Sequence, residues 1–174
     1  MAIHNQPDNL NILSPVSFRL SIQKFPNLMF WCQSVNIPDM TVAEVTMPTP
    51  FVDIPILGDK VEFGDLSITV LVDEDLVNFK EIVSWMKAVG TPESFQQRTD
   101  YYSKTTGPND NKVQELYSDA TLHILTNNKN PNKEVLFRDI FPTSIGELIF
   151  DSTGENEAIT TDITFQIRDF VIDG

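Results

Sequence analysis

Alternation of apolar and polar residues along the chain predicts a mainly β protein. From Leu66 to Val72 the even-numbered side chains are all apolar and most of the others are polar, which is the period of two of a half-buried strand. Val16 to Phe25 alternates in the same way, and Leu28 to Ile37 predicts a second strand after a turn at Pro26-Asn27. We expect these two strands to pair as a β-hairpin.

The second half of the chain repeats this pattern. Asp119 to Asn127 and Lys133 to Phe141 predict two strands joined by a turn, and Gly146 to Phe150 predicts a short one. The last predicted strand runs from Ile159 to Ile172. Its apolar positions change phase after Asp169, which indicates a β-bulge or a strand that leaves one sheet to meet another. The fold class expected is two packed antiparallel sheets, a β-sandwich or partial barrel.

One amphipathic helix, over residues 75–88, is expected beside the sheets. Asp73-Glu74-Asp75 open it and can cap its free amide donors. Its apolar residues fall on one helical face, namely Leu76, Phe79, Ile82, Val83 and Met86. A turn is predicted at Gly58-Asp59-Lys60, before the strand from Leu66 to Val72 that leads into the helix.

Residues 38–57 form an apolar, proline-rich excursion between the second and third predicted strands. Proline lacks the amide donor of a central strand, so Pro38, Pro48, Pro50 and Pro55 indicate an edge-type extended segment. An apolar excursion either folds over its own core as a lid or lies against another molecule. Its length and its prolines favour the second.

The rest of the chain fits one domain, residues 15–174, preceded by a flexible arm over residues 1–14. A polar loop is predicted over residues 90–114, with Tyr101-Tyr102 suited to a subunit contact. Nucleic-acid recognition by these tyrosines is not favoured, because no basic cluster accompanies them.

Composition excludes several classes of function. The net charge is −13 and the pI is near 4.3, which disfavours tight binding to phosphates. The single cysteine, Cys32, excludes an intramolecular disulfide and is expected to be a buried, unreactive thiol. His123 has no spaced partner that would make it a catalytic base. No apolar run is long enough to span a membrane, and the N-terminus lacks a signal-peptide pattern.

Candidate chemistry is sparse. The sequence shows neither a phosphate-binding glycine loop nor a nucleophile with a base, so we expect no catalytic residues, no cofactor and no enzyme. Carboxylate pairs such as Asp73 with Asp75, or Glu155 with Glu157, could bind a divalent metal, but the spacing of an EF-hand is absent. A metal-dependent hydrolase and a monomeric β-sandwich binding module therefore remain alternatives.

Several short motifs occur in the order found in one family. These are FWCQSVNIP, the proline-rich excursion, Gly58-Asp59, Asp73-Glu74, Trp85, and Phe141-Pro142-Thr143-Ser144 followed by Gly146-Glu147-Leu148. From about Phe18 to Phe170 the chain resembles the tail tube protein of contractile-tailed bacteriophages, whose relatives include tube subunits of injection machines and secretion systems. The long arm and the polar insertion near Tyr101 are less typical and leave a baseplate tube-initiator protein as an alternative.

The resemblance implies a structural protein that assembles into stacked hexameric rings, in which strands of all subunits join one β-barrel around a channel for DNA. Residues 38–57 would be a hairpin that reaches the adjacent ring, through Val42, Val45, Met47, Phe51, Val52 and Ile54. The helix would lie outside the barrel. Polar strand faces would line the channel, with Ser17, Arg19, Ser21, Gln23, Thr164 and Gln166 as the candidates. An acidic wall would let DNA slide, because it holds no phosphates.

The partners implied by the resemblance are further copies of the chain, a tail sheath protein, baseplate and tail-terminator proteins, and genomic DNA that passes without sequence-specific binding. The resemblance places the protein in the virion, in a phage tail assembled in the host cytoplasm, and implies no membrane partner.

Overall fold

The computed structural model of the chain describes residues 12–25, 27–90, 94–105, 116–152 and 158–173. The predicted arm lies outside this part except for its last three residues. Glu155 and Glu157, and residues 106–114 of the predicted polar loop, also lie outside the described residues.

Strands dominate the described part of the chain, as predicted, and three helices accompany them. The strands are β1 Phe18–Ile22, β2 Cys32–Val35, β3 Met40–Pro48, β4 Asp53–Phe63, β5 Leu66–Leu71, β6 Ser118–Leu125, β7 Pro131–Ile145, β8 Thr160–Gln166 and β9 Asp169–Asp173. The helices are α1 Leu28–Trp31, α2 Val77–Gly90 and α3 Gln96–Thr105.

Seven strands form one antiparallel sheet in the order β1-β6-β7-β8-β5-β2, with β9 also paired to β7. We call β1, β6, β7 and β9 the first half of this sheet, and β7, β8, β5 and β2 the second half. A single hydrophobic core contains side chains of both halves, among them Leu20, Phe137, Ile68 and Phe165. The two halves therefore pack on each other as two antiparallel layers, as the fold class predicted.

A bent ribbon of β7 against β8 and β9 joins the two layers. At one end β7 pairs with β8, where Ile145 faces Ile163, and at the other it pairs with β9, where Glu134 faces Asp173. The register of the β7–β8 pair shifts between Pro142 and Ser144. Strand pairing is interrupted opposite Asp139, whose φ of 50° lies in the left-handed region. The chain thus leaves one layer for the other between β8 and β9, which confirms the interpretation of the phase change after Asp169.

The hairpin predicted from residues 16–25 and 28–37 is wrong. β1 pairs with β6, and β2 pairs with β5. Residues 28–31 form a short helix, with Leu28 buried and Phe30 exposed, so the chain crosses between layers instead of turning back. An apolar run of four residues fits a helical turn as well as a strand, and periodicity alone does not separate the two.

The turn predicted at Gly58-Asp59-Lys60 is also wrong, because these residues lie inside β4. The cross-strand pairs are Val42 with Val61 and Glu44 with Leu57, so β4 carries extra residues at this point. The turn-forming residues therefore make a β-bulge. A Cβ at Gly58 would lie 2.1 Å from the carbonyl oxygen of Ala43, which explains why glycine is needed there.

Three further predictions differ from the structure. Residues 141–144, predicted as a turn, continue β7 through its bulge. Residues 146–150 are not a strand, although the amide of Gly146 donates to the carbonyl oxygen of Asp162 over 2.7 Å. Helix α3 occupies part of the predicted polar loop and is held to α2 by Arg98, whose guanidinium donates to the carbonyl oxygens of Ala88 and Val89.

Helix α2 closes one side of the core. The Asp73 carboxylate accepts hydrogen bonds from the amides of Val77 and Asn78, so the predicted capping is confirmed. The largest buried side chain of α2 is Trp85, which packs against Phe25 and Phe165. Trp85 was not assigned to the predicted apolar face. Of that predicted face, Ile82 is fully buried.

Candidate assembly surface

The hairpin of β3 and β4 forms a two-stranded sheet of its own, separate from the seven-stranded sheet. Every residue of β3 is exposed, and most of β4 is exposed as well. The excursion predicted over residues 38–57 is therefore a hairpin, and it continues to Phe63. Both of its strands are edge strands, which is why Pro48 and Pro55 fit within them.

The outer part of this hairpin has one apolar face. Val45 faces Ile56 and Met47 faces Ile54 across the two strands, and successive members are two residues apart, so all four side chains lie on one side. We call these four residues the apolar face of the hairpin. The adjacent positions on the two strands point to the opposite side, which mixes polar and apolar residues, namely Glu44, Thr46, Pro48, Asp53, Pro55 and Leu57.

Exposure of these side chains shows that the apolar face is not covered within the described part of the chain. Val45, Met47, Ile54 and Ile56 are between 42% and 59% exposed. Two-stranded sheets are marginally stable by themselves in water and gain stability by packing on another surface. Packing of the apolar face on another surface would therefore stabilise the hairpin.

The structure brings together three of the six residues predicted to contact a neighbouring ring. Val45, Met47 and Ile54 share the apolar face, and Ile56 joins them. Ile56 was missed, although its spacing of two residues from Ile54 would have revealed it. Val42 lies beyond the bulge, nearer the base, where it pairs with Val61.

The other two predicted residues, Phe51 and Val52, lie at the tip of the hairpin. The Thr49 hydroxyl accepts a hydrogen bond from the Val52 amide over 3.2 Å and donates one to the Val52 carbonyl oxygen. These bonds make the tip compact. Phe51 is 99% exposed at its apex, so its ring projects into solvent.

The base of the hairpin is attached to the core. Phe63 is half-buried and packs on Phe170 of β9, with ring centroids 5.6 Å apart. The Gly64 amide donates to the Asp39 carbonyl oxygen over 2.9 Å, which closes the base, and Pro38 is buried. The hairpin is thus fixed at one end and free at the other.

The candidate channel residues on β1 lie on the outer face of the first half of the sheet. Arg19 faces His123, and Ser21 faces Thr121. Arg19 and Gln23 are exposed and Ser21 is half-buried, whereas Ser17, just before β1, is 7% exposed. Ser17 is therefore a buried residue and not part of an open polar surface.

The candidate channel residues on β8, Thr164 and Gln166, are half-buried and lie three strands from β1 in the sheet order. Their side of the second half is rich in hydroxyl groups. The Ser34 hydroxyl donates to Thr69 over 2.8 Å, and the Thr69 hydroxyl donates to the Asp162 carboxylate over 2.7 Å. The structure does not bring the two candidate channel segments together.

Solved structures of contractile systems share this architecture over almost the whole chain. The tube-terminating cap of the anti-feeding prophage matches with a TM-score of 0.64 and 13% identity, covering 99% of each chain. A chain of the sheath–tube complex of PVC, an extracellular contractile injection system, matches with a TM-score of 0.57 and 12% identity over 93% of this chain and 91% of that one. The sheath/tube terminator of PVC matches with a TM-score of 0.57 and 17% identity, covering 95% of this chain and 100% of that one.

The chain has the tail-tube fold. At these identities the likeness concerns the fold, and it confirms the fold predicted by resemblance to tube proteins of contractile tails. Neither protein-family models nor curated proteins give a match.

Burial shifts the pKa of several titratable groups in the described part of this tail-tube fold. Burial raises the pKa of the Cys32 thiol to about 11, partly offset by a backbone hydrogen bond with Ser34. Burial, with a contribution from the Glu81 carboxylate, raises the pKa of Tyr101 to about 12. The Lys24 ammonium lies 5.3 Å from the Trp85 ring centroid and 5.6 Å from that of Tyr101, a cation–π arrangement beside the core.

Within residues 12–25, 27–90, 94–105, 116–152 and 158–173, no three His, Cys, Asp or Glu side chains group as metal ligands. No helix there has the length and apolarity needed to cross a membrane.

Proposed function

We propose that this protein is a non-enzymatic, tube-forming structural subunit of a contractile tail, which assembles with copies of itself into hexameric rings that stack into a hollow tube. The observation that carries the proposal is the apolar face of the hairpin, exposed on a two-stranded sheet that extends beyond the core. In a tube of stacked rings, a second copy of the chain is available to cover this apolar face on each subunit.

Apolar burial would drive the stacking. Fully burying a Val, Ile or Met side chain stabilises a contact by about 1.5–3 kcal/mol, so four half-exposed side chains supply several kcal/mol per subunit. In the proposed stack, the copy that receives the hairpin presents a surface other than its own hairpin. Such a head-to-tail contact does not close on itself and allows a filament to grow.

The likeness to tube, cap and terminator structures supports the proposed partners. By analogy with those particles we propose contact with a tail sheath protein, a baseplate and a terminator, in a phage tail assembled in the host cytoplasm. We further propose that DNA passes through the tube without sequence-specific binding, since a net charge of −13 disfavours attachment of phosphates.

A subunit at the end of the tube is the second candidate. The tube-terminating cap of the anti-feeding prophage gives the TM-score of 0.64, against 0.57 for the chain of the PVC sheath–tube complex. A cap would form one ring and stop, whereas a bulk tube subunit would form long stacks. Electron microscopy of the purified protein over a range of concentrations separates these two outcomes.

Substitutions on the two faces of the hairpin test the proposal. Val45→Asp and Met47→Asp place charges on the apolar face, and Thr46→Asp places the same charge on the opposite face as a matched control. We expect the first two variants to keep native circular dichroism while the concentration needed for stacking rises roughly tenfold or more, an effect of about 1.4 kcal/mol. Thr46→Asp should stack like the unmodified protein.

A monomeric binding module predicts the opposite result. With the hairpin as a lid, Val45→Asp would lower the free energy of unfolding and leave a monomer at every concentration. Equal stacking by the Val45 and Thr46 variants would also contradict the proposal.

A further inference from the structure

The first half of the sheet ends in two strands that each have one neighbour. β1 pairs with β6 and β9 pairs with β7, and neither has a second strand partner among the described residues. Unpaired strand edges carry free backbone donors and acceptors and readily pair with another chain. The first half therefore has two edges at which a sheet could continue.

Strand direction makes these two edges compatible with each other. The pairs β1–β6, β6–β7 and β7–β9 are all antiparallel, so β9 runs opposite to β1. When β9 of one copy is placed beside β1 of another in the same orientation, the new pair is again antiparallel. The four-stranded half can thus repeat from copy to copy without reversing any subunit.

One row of charged side chains crosses this half of the sheet. Arg19 on β1 faces His123 on β6, His123 faces Glu134 on β7, and Glu134 faces Asp173 on β9. The inner two interact, with 3.1 Å between His123 Nδ1 and Glu134 Oε1. The outer two, Arg19 and Asp173, have neither a hydrogen-bond nor an ion-pair partner within the described part of the chain.

We propose that the β9 edge of one copy pairs with the β1 edge of the next, and that Asp173 lies directly opposite Arg19 across this junction. The proposal rests on the proposed tube function and specifies the contact between neighbours within a ring. Each copy uses two different edges, so the contact is heterologous and closes into a ring when the rotation between copies allows it.

The remaining pairs in this register are compatible. Antiparallel pairing of Arg19 with Asp173 sets Ser21 opposite Val171 and Gln23 opposite Asp169, so no like charges meet. Asp169 already lies 3.8 Å from the Arg138 guanidinium within its own subunit. Opposite charges directly across two strands favour this register, whereas a shift by two residues sets Arg19 opposite the apolar Val171.

Charge reversal tests the junction. We expect Arg19→Asp and Asp173→Arg each to raise the protein concentration needed for ring formation roughly tenfold, and the double variant to restore it to within about threefold, because the charges are exchanged. Lys129→Asp in the β6–β7 turn and Glu147→Arg after β7 make the same charge changes away from both edges and serve as controls. Ring formation is measured by analytical ultracentrifugation and negative-stain microscopy.

Disulfide trapping tests the same contact without relying on charge. Arg19→Cys and Asp173→Cys are combined with Cys32→Ser, which removes the native thiol. Oxidation of the assembled protein should give a ladder of linked copies that ends at a closed ring, because each copy carries one cysteine at each edge. Each single-cysteine variant should remain largely monomeric, and a product that stops at a dimer would contradict a heterologous junction.

The results separate this inference from the function on which it rests. If the unmodified protein forms no ring or stack at any concentration, the proposed tube function is wrong. If it forms rings that the single reversals do not weaken, or rings that give no ladder, the tube function stands and the β1–β9 junction is wrong.

Discussion

The ring of Phe63, at the end of β4, packs edge-on against the ring of Phe170 in β9, with centroids 5.6 Å apart and an interplanar angle of 72°. Phe170 in turn packs on Phe137 in the core, with centroids 6.2 Å apart. The hairpin proposed for stacking and the strand edge proposed for ring formation therefore meet at one aromatic contact. A change at this contact affects both surfaces.

Phe63→Ala is expected to loosen the base of the hairpin. Loss of a half-buried ring and its aromatic pair should lower the free energy of unfolding by about 1–3 kcal/mol, and amide exchange in β3 and β4 should accelerate. Denaturant unfolding and hydrogen exchange measure these effects. Phe51→Ala removes the same kind of side chain from the exposed tip of the hairpin, so we expect its free energy of unfolding to stay unchanged. Equal effects of the two variants would contradict the role of Phe63 in attaching the hairpin to the core.

Gly58→Ala should distort the bulge in β4, because the new Cβ would meet the Ala43 carbonyl oxygen. We expect the variant to lose stacking while the thermal transition of the core changes little. Gly90→Ala is the matched control. No atom lies within 4 Å of a Cβ at Gly90, at the end of α2, so stability should stay the same or rise by about 0.5–1 kcal/mol. Normal stacking by Gly58→Ala would show that the bulge does not shape the apolar face.

Cys32 is expected to react slowly with thiol reagents. With its pKa raised from 9.0 to about 11, the thiolate fraction near neutral pH falls, so alkylation should be about tenfold to a hundredfold slower than in the unfolded chain. The rate should keep rising with pH beyond 9, where a free thiol would already approach its plateau. Mass spectrometry of iodoacetamide-treated protein, with and without urea, measures both rates, and equal rates would contradict burial of the thiol.

Trp85→Phe should lower the free energy of unfolding by about 1–3 kcal/mol. Trp85 is 0% exposed and its indole nitrogen donates to the Leu116 carbonyl oxygen over 2.8 Å, so the smaller ring leaves a cavity and an unpaired acceptor. Trp31→Phe is the control, because Trp31 is 40% exposed and a much smaller change is expected. Urea denaturation measures the loss of unfolding free energy in each variant, and equal losses would contradict a larger contribution from Trp85.

Sequence patterns predicted β6, β7 and the change of layer between β8 and β9, because alternation there coincides with real strand faces. They failed where pairing depends on residues distant in the chain. β1 and β2 are close in sequence but pair with β6 and β5, since both must cover the same core from opposite layers. Neighbouring runs of alternation indicate strands but do not indicate partners.

Residues typical of turns also occur inside the long strands of this protein. Gly58-Asp59-Lys60 and Phe141 to Ser144 contain residues typical of turns, yet both lie in long strands that bend through bulges. For the candidate surface, apolar composition and proline content predicted an edge-type excursion, and the resemblance implied a hairpin. Three of the six predicted contact residues share a face. The edges of the first half were not predicted, because an unpaired edge is a property of the sheet order and leaves no local pattern.

The shared register of β7 with β8 and β9 has a consequence for how the subunit unfolds. Sliding β7 by one residue at either end would turn inward-facing side chains outward in both layers at once. The two layers should therefore melt as one cooperative unit, and amides near Ile163 and near Val171 should exchange with the same opening free energy. We expect a subunit of this kind to transmit force from one layer to the other without a hinge between them.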